Sequence, residues 1–248
     1  MTRMAARALA CLDLTALGDA ETPATTAELC AKARTPHGPV AAVCLWPAHV
    51  AQAKAALAGT AIKVATVVNF PGGMEPVDAV LAATRRALAD GADEIDLVFP
   101  YPRWLRGEKV PALTLVARVK EVCGAKTLKV ILESGAFPAI APLAQAAHDV
   151  FEAGADFLKT STGKIAQGAT AESARVLLET GADGRPGVKI SGGVRTLADA
   201  AAYLALADEL RGPACVTPET FRFGASGLLA ALLADLDGRE APVAAKGY

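Results

Sequence analysis

Two textures alternate along this chain. Short runs of β-branched and other apolar residues, the texture of strands, are separated by alanine-rich stretches whose apolar positions recur at helical spacing. The runs are "CLDLT" (11–15), "VAAVCLW" (40–46), "IKVATVVNF" (62–70), "DEIDLVF" (93–99), "TLKVILES" (127–134), "DFLKTS" (156–161), "GVKIS" (187–191) and "FRFGAS" (221–226). The helical stretches between and after them include 26–33, 50–58, 76–90, 112–123, 138–153, 171–180, 196–207 and 228–236. Pro76 suits a first helical turn, and Gly91, Gly124, Gly154 and Gly181 suit helix ends. Strict alternation of strand and helix implies a parallel sheet covered by helices. Eight such units in 248 residues fit a single α/β domain, a closed (β/α)8 barrel of the TIM type spanning 1–248. An open doubly wound sheet is the alternative, and the GxGxxG that usually follows its first strand is missing. The ending "EAPVAAKGY" reads as a mobile tail from about residue 239.

Strands covered by helices outside and filled by side chains inside should be almost wholly apolar. Asp13, Thr15, Asp96, Lys129, Glu133, Lys159 and Lys189 interrupt that pattern. One polar residue in a strand most simply marks a strand start or a wet barrel rim, and Lys129 is read that way. Lys159 and Lys189 are different. They lie thirty residues apart, one βαβ repeat, and so at matching depth on adjacent strands. Two ammonium groups in one barrel disfavour each other's charge. The resulting free amine is the nucleophile that forms a Schiff base with a carbonyl. Asp96 offsets the remaining charge and can shuttle protons.

Two glycine-rich turns suit a phosphate. "ISGGVRT" follows the seventh run with Gly192 and Gly193, and "FGASGLL" follows the eighth with Gly224, Ser226 and Gly227. In such barrels the loops after strands seven and eight, with a helix N-terminus, commonly cradle phosphate. Lys164 can add a cation. Its "STGK" is not a Walker A loop, because Leu158 holds the place of the first glycine and Ile165 follows the lysine.

Composition narrows the classes. Lys+Arg 25 against Asp+Glu 26 gives a net charge of −1, which argues against nucleic acid as a partner. The longest uncharged window, 35–53, contains Pro36, Pro39 and Pro47 and is no membrane span. Arg3, Arg7 and "ALAC" look like a leader, but Asp13 interrupts the apolar stretch too early. Five cysteines without CxxC spacing and three histidines without zinc spacing point to a metal-free protein of a reducing, cytoplasmic setting.

"GADEIDLVFPY", "GADFLKTSTGK", "GVKISGGVRT" and "FRFGASGLL", in this order, with "LDLTAL" and "NFPGG", closely resemble the deoxyribose-phosphate aldolase family from about Leu12 to Leu229. The resemblance implies a class I aldolase without metal or other cofactor, acting on small phosphosugars and aldehydes, with a homodimer as the assembly to test. It would cleave 2-deoxy-D-ribose 5-phosphate reversibly to acetaldehyde and D-glyceraldehyde 3-phosphate. Lys159 resembles the Schiff-base lysine, Lys189 the lysine that lowers its pKa, and Asp96 the proton-transfer carboxylate. Gly192, Gly193, Gly224, Ser226 and Lys164 match phosphate-contacting positions, and Tyr248 matches a C-terminal tyrosine that reaches the site. Ile190 departs from a usual proline or alanine, and Gly227 from a usual second serine. Cys44 reads first as a small buried hydrophobe; if it faces the barrel mouth it would be open to alkylation by unsaturated aldehydes. Two rivals stay open: a phosphosugar isomerase or lyase using Asp96 or Glu133 as base, and a silent phosphate-binding barrel.

Overall fold

A computed structural model of the chain describes residues 2–181 and 185–240. Eight parallel strands close into a barrel. They are β1 (Leu12–Ala16), β2 (Ala42–Leu45), β3 (Lys63–Val68), β4 (Glu94–Val98), β5 (Thr127–Ile131), β6 (Phe157–Lys159), β7 (Gly187–Ser191) and β8 (Phe221–Ala225). Each pairs with the next in sequence, and β1 closes the ring against β8. Closure leaves no strand edge unpaired. All eight runs of the sequence pattern contain strands, with no end displaced by more than three residues.

The helices are α1 (Thr2–Ala10), α2 (Pro23–Lys32), α3 (Val50–Ala56), α4 (Val77–Ala89), α5 (Tyr101–Leu105), α6 (Lys109–Cys123), α7 (Ile140–Glu152), α8 (Ala171–Glu179), α9 (Leu197–Arg211) and α10 (Leu228–Leu236). Reciprocal capping boxes start three of them, at Thr22 with Thr25, Thr170 with Ser173 and Thr196 with Asp199. Pro76 caps α4 instead of lying in its first turn. The pattern gave no sign of α1, which packs on α9 and α10 and ties Arg7 to Asp208 at 2.6 Å, nor of the single-turn α5.

Side chains alternate across the barrel wall. On β4, Ile95 and Leu97 enter the apolar layer beneath the helices, while Glu94 and Asp96 do not. On β5 the outer pair is Leu128 and Val130 around Lys129, and on β7 it is Val188 and Ile190 around Lys189. Ile190 therefore meets the demand for an apolar residue under the helices. The inner face is mixed. A small apolar cluster of Leu17, Cys44, Ala65 and Val67 lies on one side, flanked by Trp46 and Phe70. The other side holds the charged residues. Lys129, expected at a wet rim, is fully buried among carboxylates and belongs to this interior.

Candidate active site

Strand register brings the charged residues together. Lys159 stands opposite Lys189, Lys189 opposite Arg222, and Asp96 opposite Lys129. Residues opposite one another in a parallel pair point to the same side, so all five enter the barrel. Asp96 is the hub. Its Oδ2 accepts from Lys159 Nζ at 2.8 Å and Lys189 Nζ at 2.9 Å, and its Oδ1 accepts from Lys129 Nζ at 3.0 Å. Lys189 also pairs with Asp13 at 2.6 Å, and Arg222 reaches Asp13 at 2.5 Å and Glu94 at 2.9 Å. Lys129 donates to Glu94 as well and lies 3.7 Å from Asp13.

Counting charges identifies the odd group. Four basic side chains (Lys129, Lys159, Lys189, Arg222) share this interior with three carboxylates (Asp13, Glu94, Asp96). The cluster balances when one base sheds its proton, and an unbalanced charge is costly where water is excluded. Lys129 has three carboxylates within ion-pair distance and Lys189 and Arg222 two each, while Lys159 pairs with Asp96 alone among the described residues. Buried Glu133 acts on Lys159 only from beyond that distance, and burial raises the Glu133 pKa, toward the neutral acid.

The pKa directions agree. Burial lowers that of Lys159, the positive charge of Lys189 lowers it further, and Asp96 opposes both. Burial works against the charges of Lys129 and Lys189 too, but their carboxylates win, raising Lys129 and holding Lys189 well above the ordinary lysine range. Burial alone would raise Asp96; Lys129, Lys159 and Lys189 instead hold it well below the usual carboxylate range. Lys189 acts on Lys159 in the direction a neighbouring ammonium must, but burial is the larger cause, and the repulsion is one-sided in effect because Asp13 and Asp96 keep Lys189 charged. Cys44 lies within this site, its Sγ 4.0 Å from Asp96 Oδ2, fully buried and with its thiol pKa pushed up chiefly by burial.

Above the cluster, Glu133 has left-handed backbone (φ 56°), and its carboxylate accepts from Thr162 N at 3.2 Å and from the Thr162 hydroxyl. It therefore tethers the loop after β6. A concavity at the barrel mouth is lined by Gly163, Gly192, Gly193, Arg195, Gly224, Ser226 and Gly227. The two turns singled out in the sequence thus meet in one place. Gly192 and Gly193 have φ of 84° and 94°, which turns the backbone without steric penalty. Gly227 caps α10, so the helix starts beside this concavity. Lys164 donates to Leu17 O at 2.8 Å. Tyr248 and residues 241–248 of the tail lie outside the described residues.

Sequence reading passed over Glu94, Arg222 and Arg195. The signal for Glu94 was its i, i+2 relation to Asp96, which fixes a common face. Arg222 stood in plain view as a charge inside "FRFG".

The family model for the DeoC/LacD family aldolases matches residues 7–234. A deoxyribose-phosphate aldolase of Agrobacterium fabrum is 46% identical over 248 residues, covering 98% of this chain and 96% of the relative. An apo-form structure described as a deoxyribose-phosphate aldolase of Toxoplasma gondii ME49 superimposes with TM-score 0.85 at 29% identity, over 97% of this chain and 98% of that one. A tetrameric deoxyribose phosphate aldolase of Aeropyrum pernix shares the fold with TM-score 0.75 at 23% identity, over 94% and 91% of the two chains.

Proposed function

The chain belongs to the DeoC/LacD aldolase family and reversibly cleaves 2-deoxy-D-ribose 5-phosphate to acetaldehyde and D-glyceraldehyde 3-phosphate through a Schiff base, and we propose that Lys159 is the amine that forms it. The observation that carries this assignment is the charge count: of four basic side chains around three carboxylates, Lys159 has the fewest acidic contacts.

The free amine adds to the C1 aldehyde, and loss of water leaves an iminium on Lys159 Nζ. The C2–C3 bond then breaks. Its electron pair flows into the iminium to give an enamine, and the C3 hydroxyl gives up its proton as glyceraldehyde 3-phosphate forms. Protonation of the enamine at C2 and addition of water release acetaldehyde and restore the amine. Asp96, whose Oδ2 sits 2.8 Å from Lys159 Nζ, is the proton acceptor and donor in these steps. Lys189 stays cationic between Asp13 and Asp96, helps to keep Lys159 uncharged, and can donate a proton. Tyr248, proposed from the resemblance alone, assists transfer at C2.

The C5 phosphate is placed at Gly192, Gly193, Gly224 and Ser226 with Lys164 nearby, where backbone N–H groups and the start of α10 supply donors. We take 1–248 as one catalytic unit. Among the described residues no helix is long and apolar enough to cross a membrane. All five cysteines are free thiols, which supports a cytoplasmic setting. A homodimer is the proposed assembly, tested by sedimentation.

Borohydride added with acetaldehyde, followed by peptide mass spectrometry, decides the assignment. A reduced adduct on Lys159, lost together with turnover in Lys159→Ala, is expected. An adduct on Lys189 moves the amine there, and the absence of any adduct leaves the lysines as anion binders and an isomerase-type reaction in place. Glu133 is a poor base for that rival, since its carboxylate is engaged by Thr162.

A further inference from the structure

Ser191 is the last residue of β7, two positions beyond Lys189 and on the same inward face. It is 4% exposed, and its hydroxyl oxygen has no hydrogen-bond partner among the described residues. Its backbone, by contrast, is fully engaged. Thr160 Oγ1 accepts from Ser191 N at 2.9 Å and donates to Ser191 O at 3.0 Å. A buried hydroxyl without a partner is rare enough to require an explanation, and a bound ligand is one of the few on offer.

The position of the hydroxyl narrows the ligand. Ser191 stands opposite Gly224 across the β7–β8 pair. A Cβ on Gly224 would lie 2.2 Å from Ser191 Oγ and 2.9 Å from Lys189 Cε. The missing side chain of Gly224 therefore leaves room that Ser191 and Lys189 fill. The next two residues after Ser191 are Gly192 and Gly193 of the phosphate concavity. Ser191 thus stands on the inward face between Lys189 and the glycines of the phosphate cradle, the stretch of barrel wall that a sugar held at both ends must pass.

From this placement, and resting on the reading given under Proposed function, we infer that Ser191 Oγ is a specificity-determining contact that hydrogen-bonds the C4 hydroxyl of the bound sugar phosphate. With C1 on Lys159 and the phosphate of C5 at the glycine turns, C4 is the hydroxyl-bearing carbon beside the phosphate end. In the direction of synthesis the same group is the C2 hydroxyl of D-glyceraldehyde 3-phosphate. The contact supplies the partner that Ser191 lacks and favours acceptors hydroxylated next to their aldehyde carbon.

The test compares wild type with Ser191→Ala in aldol synthesis from acetaldehyde and either D-glyceraldehyde 3-phosphate or 3-oxopropyl phosphate, which lacks that hydroxyl. Loss of one neutral hydrogen bond should lower kcat/KM for the hydroxylated acceptor about tenfold. The hydroxyl-free acceptor should be nearly unaffected. Deuterium uptake into the acetaldehyde methyl group involves no acceptor and should proceed at the wild-type rate. Melting temperature should hold or rise, since an orphan hydroxyl is removed. Ser191→Cys, close in size and a weak donor, should fall between the two. Equal losses with both acceptors, no loss with either, or a lowered melting temperature would overturn the contact. Absence of a wild-type borohydride adduct on Lys159 would overturn the aldolase site and this contact with it. An adduct present with an unchanged acceptor ratio would overturn the contact alone.

Discussion

At the scale of single residues, three lysines buried in one barrel meet two opposite electrical fates. Lys129 and Lys189 are held charged by carboxylates, while Lys159 is pushed toward the free amine. Productive enzyme needs that amine, so kcat/KM rises as pH climbs through the lowered pKa of Lys159. Lys189→Met removes the repelling charge and leaves Lys159 the only ammonium on Asp96 Oδ2 among the described residues. The pKa of Lys159 then rises and the ascending limb of the pH profile moves to higher pH. Activity at neutral pH should fall about tenfold for each unit of that move and return in alkaline buffer. A limb that stays in place rejects the electrostatic role. Cys44 makes a second case. Its thiol is buried and its raised pKa keeps it protonated, hence a slow nucleophile. In concentrated acetaldehyde, unsaturated aldehydes from self-condensation should alkylate it gradually. Cys44→Met should lengthen enzyme lifetime without changing initial rates. Peptide mapping after crotonaldehyde treatment checks this, and an intact Cys44 in inactivated enzyme rejects it. Lys159, Lys189 and Asp96 were readable from sequence because a charge in a parallel strand is anomalous by itself. Lys129 was misread because its partners come from β1 and β4, and nothing local announces that barrel closure brings β1 near.

At the scale of elements, the phosphate cradle is made by two turns and the start of a helix. Ser226→Asp adds a negative charge there. It should depress cleavage of 2-deoxy-D-ribose 5-phosphate at least tenfold more than cleavage of 2-deoxyribose, as steady-state kinetics on both sugars will show. Equal losses would reduce the turns to scaffolding. Gly224→Ala separates approach to the ligand from internal packing. Its methyl would overlap Ser191 Oγ and Lys189 Cε, so it should impair both substrates and destabilise the fold by about 1–3 kcal/mol in urea unfolding. Strand positions and most helices followed from periodicity, because β-branched runs and alanine-rich stretches differ in period throughout. Two elements escaped. The apolar residues of α1 resembled a leader remnant, and the helix gains its stability only by packing on α9 and α10, a tertiary effect. The five residues of α5 are too few to show a period.

At the scale of the whole molecule, the charge cluster shapes the dependence of stability on pH. Asp13 and Asp96 have folded pKa values below their unfolded ones. Their stabilisation is complete above the unfolded value of about 3.9 and drains away as pH falls below it. Lys129 and Lys189 have raised folded values, so their contribution is complete below about 10.4 and is lost above it. Lys159, with its folded value lowered, works the other way: between that value and about 10.4 the unfolded chain holds the extra proton, so its contribution makes stability climb with pH across this window. Lys129→Met leaves the three carboxylates with fewer cations. It should cost about 3–5 kcal/mol and move acid unfolding to higher pH. Adding Glu94→Gln restores the balance and should recover part of that loss. Urea unfolding across pH measures both, and additive losses in the double variant would contradict the charge-count argument.

The loop after β6 and the turn after β7 are interlocked by backbone as well as by side chains. Ala169 N donates to Gly192 O at 2.9 Å, and a Cβ on Gly168 would lie 2.3 Å from that same oxygen. Thr160 holds Ser191 at both its amide and its carbonyl. For anyone recombining barrels, this makes residues 160–193 one exchangeable cassette. A chimera with its crossover inside the cassette would join two halves whose surfaces were shaped for other partners, while one with crossovers outside it would import Ser191, Gly192 and Gly193 already aligned with the loop that braces them. A crossover library scored for soluble yield and deoxyribose phosphate cleavage should therefore be depleted of junctions between Gly168 and Gly192 and tolerant of junctions before β6 and within α9.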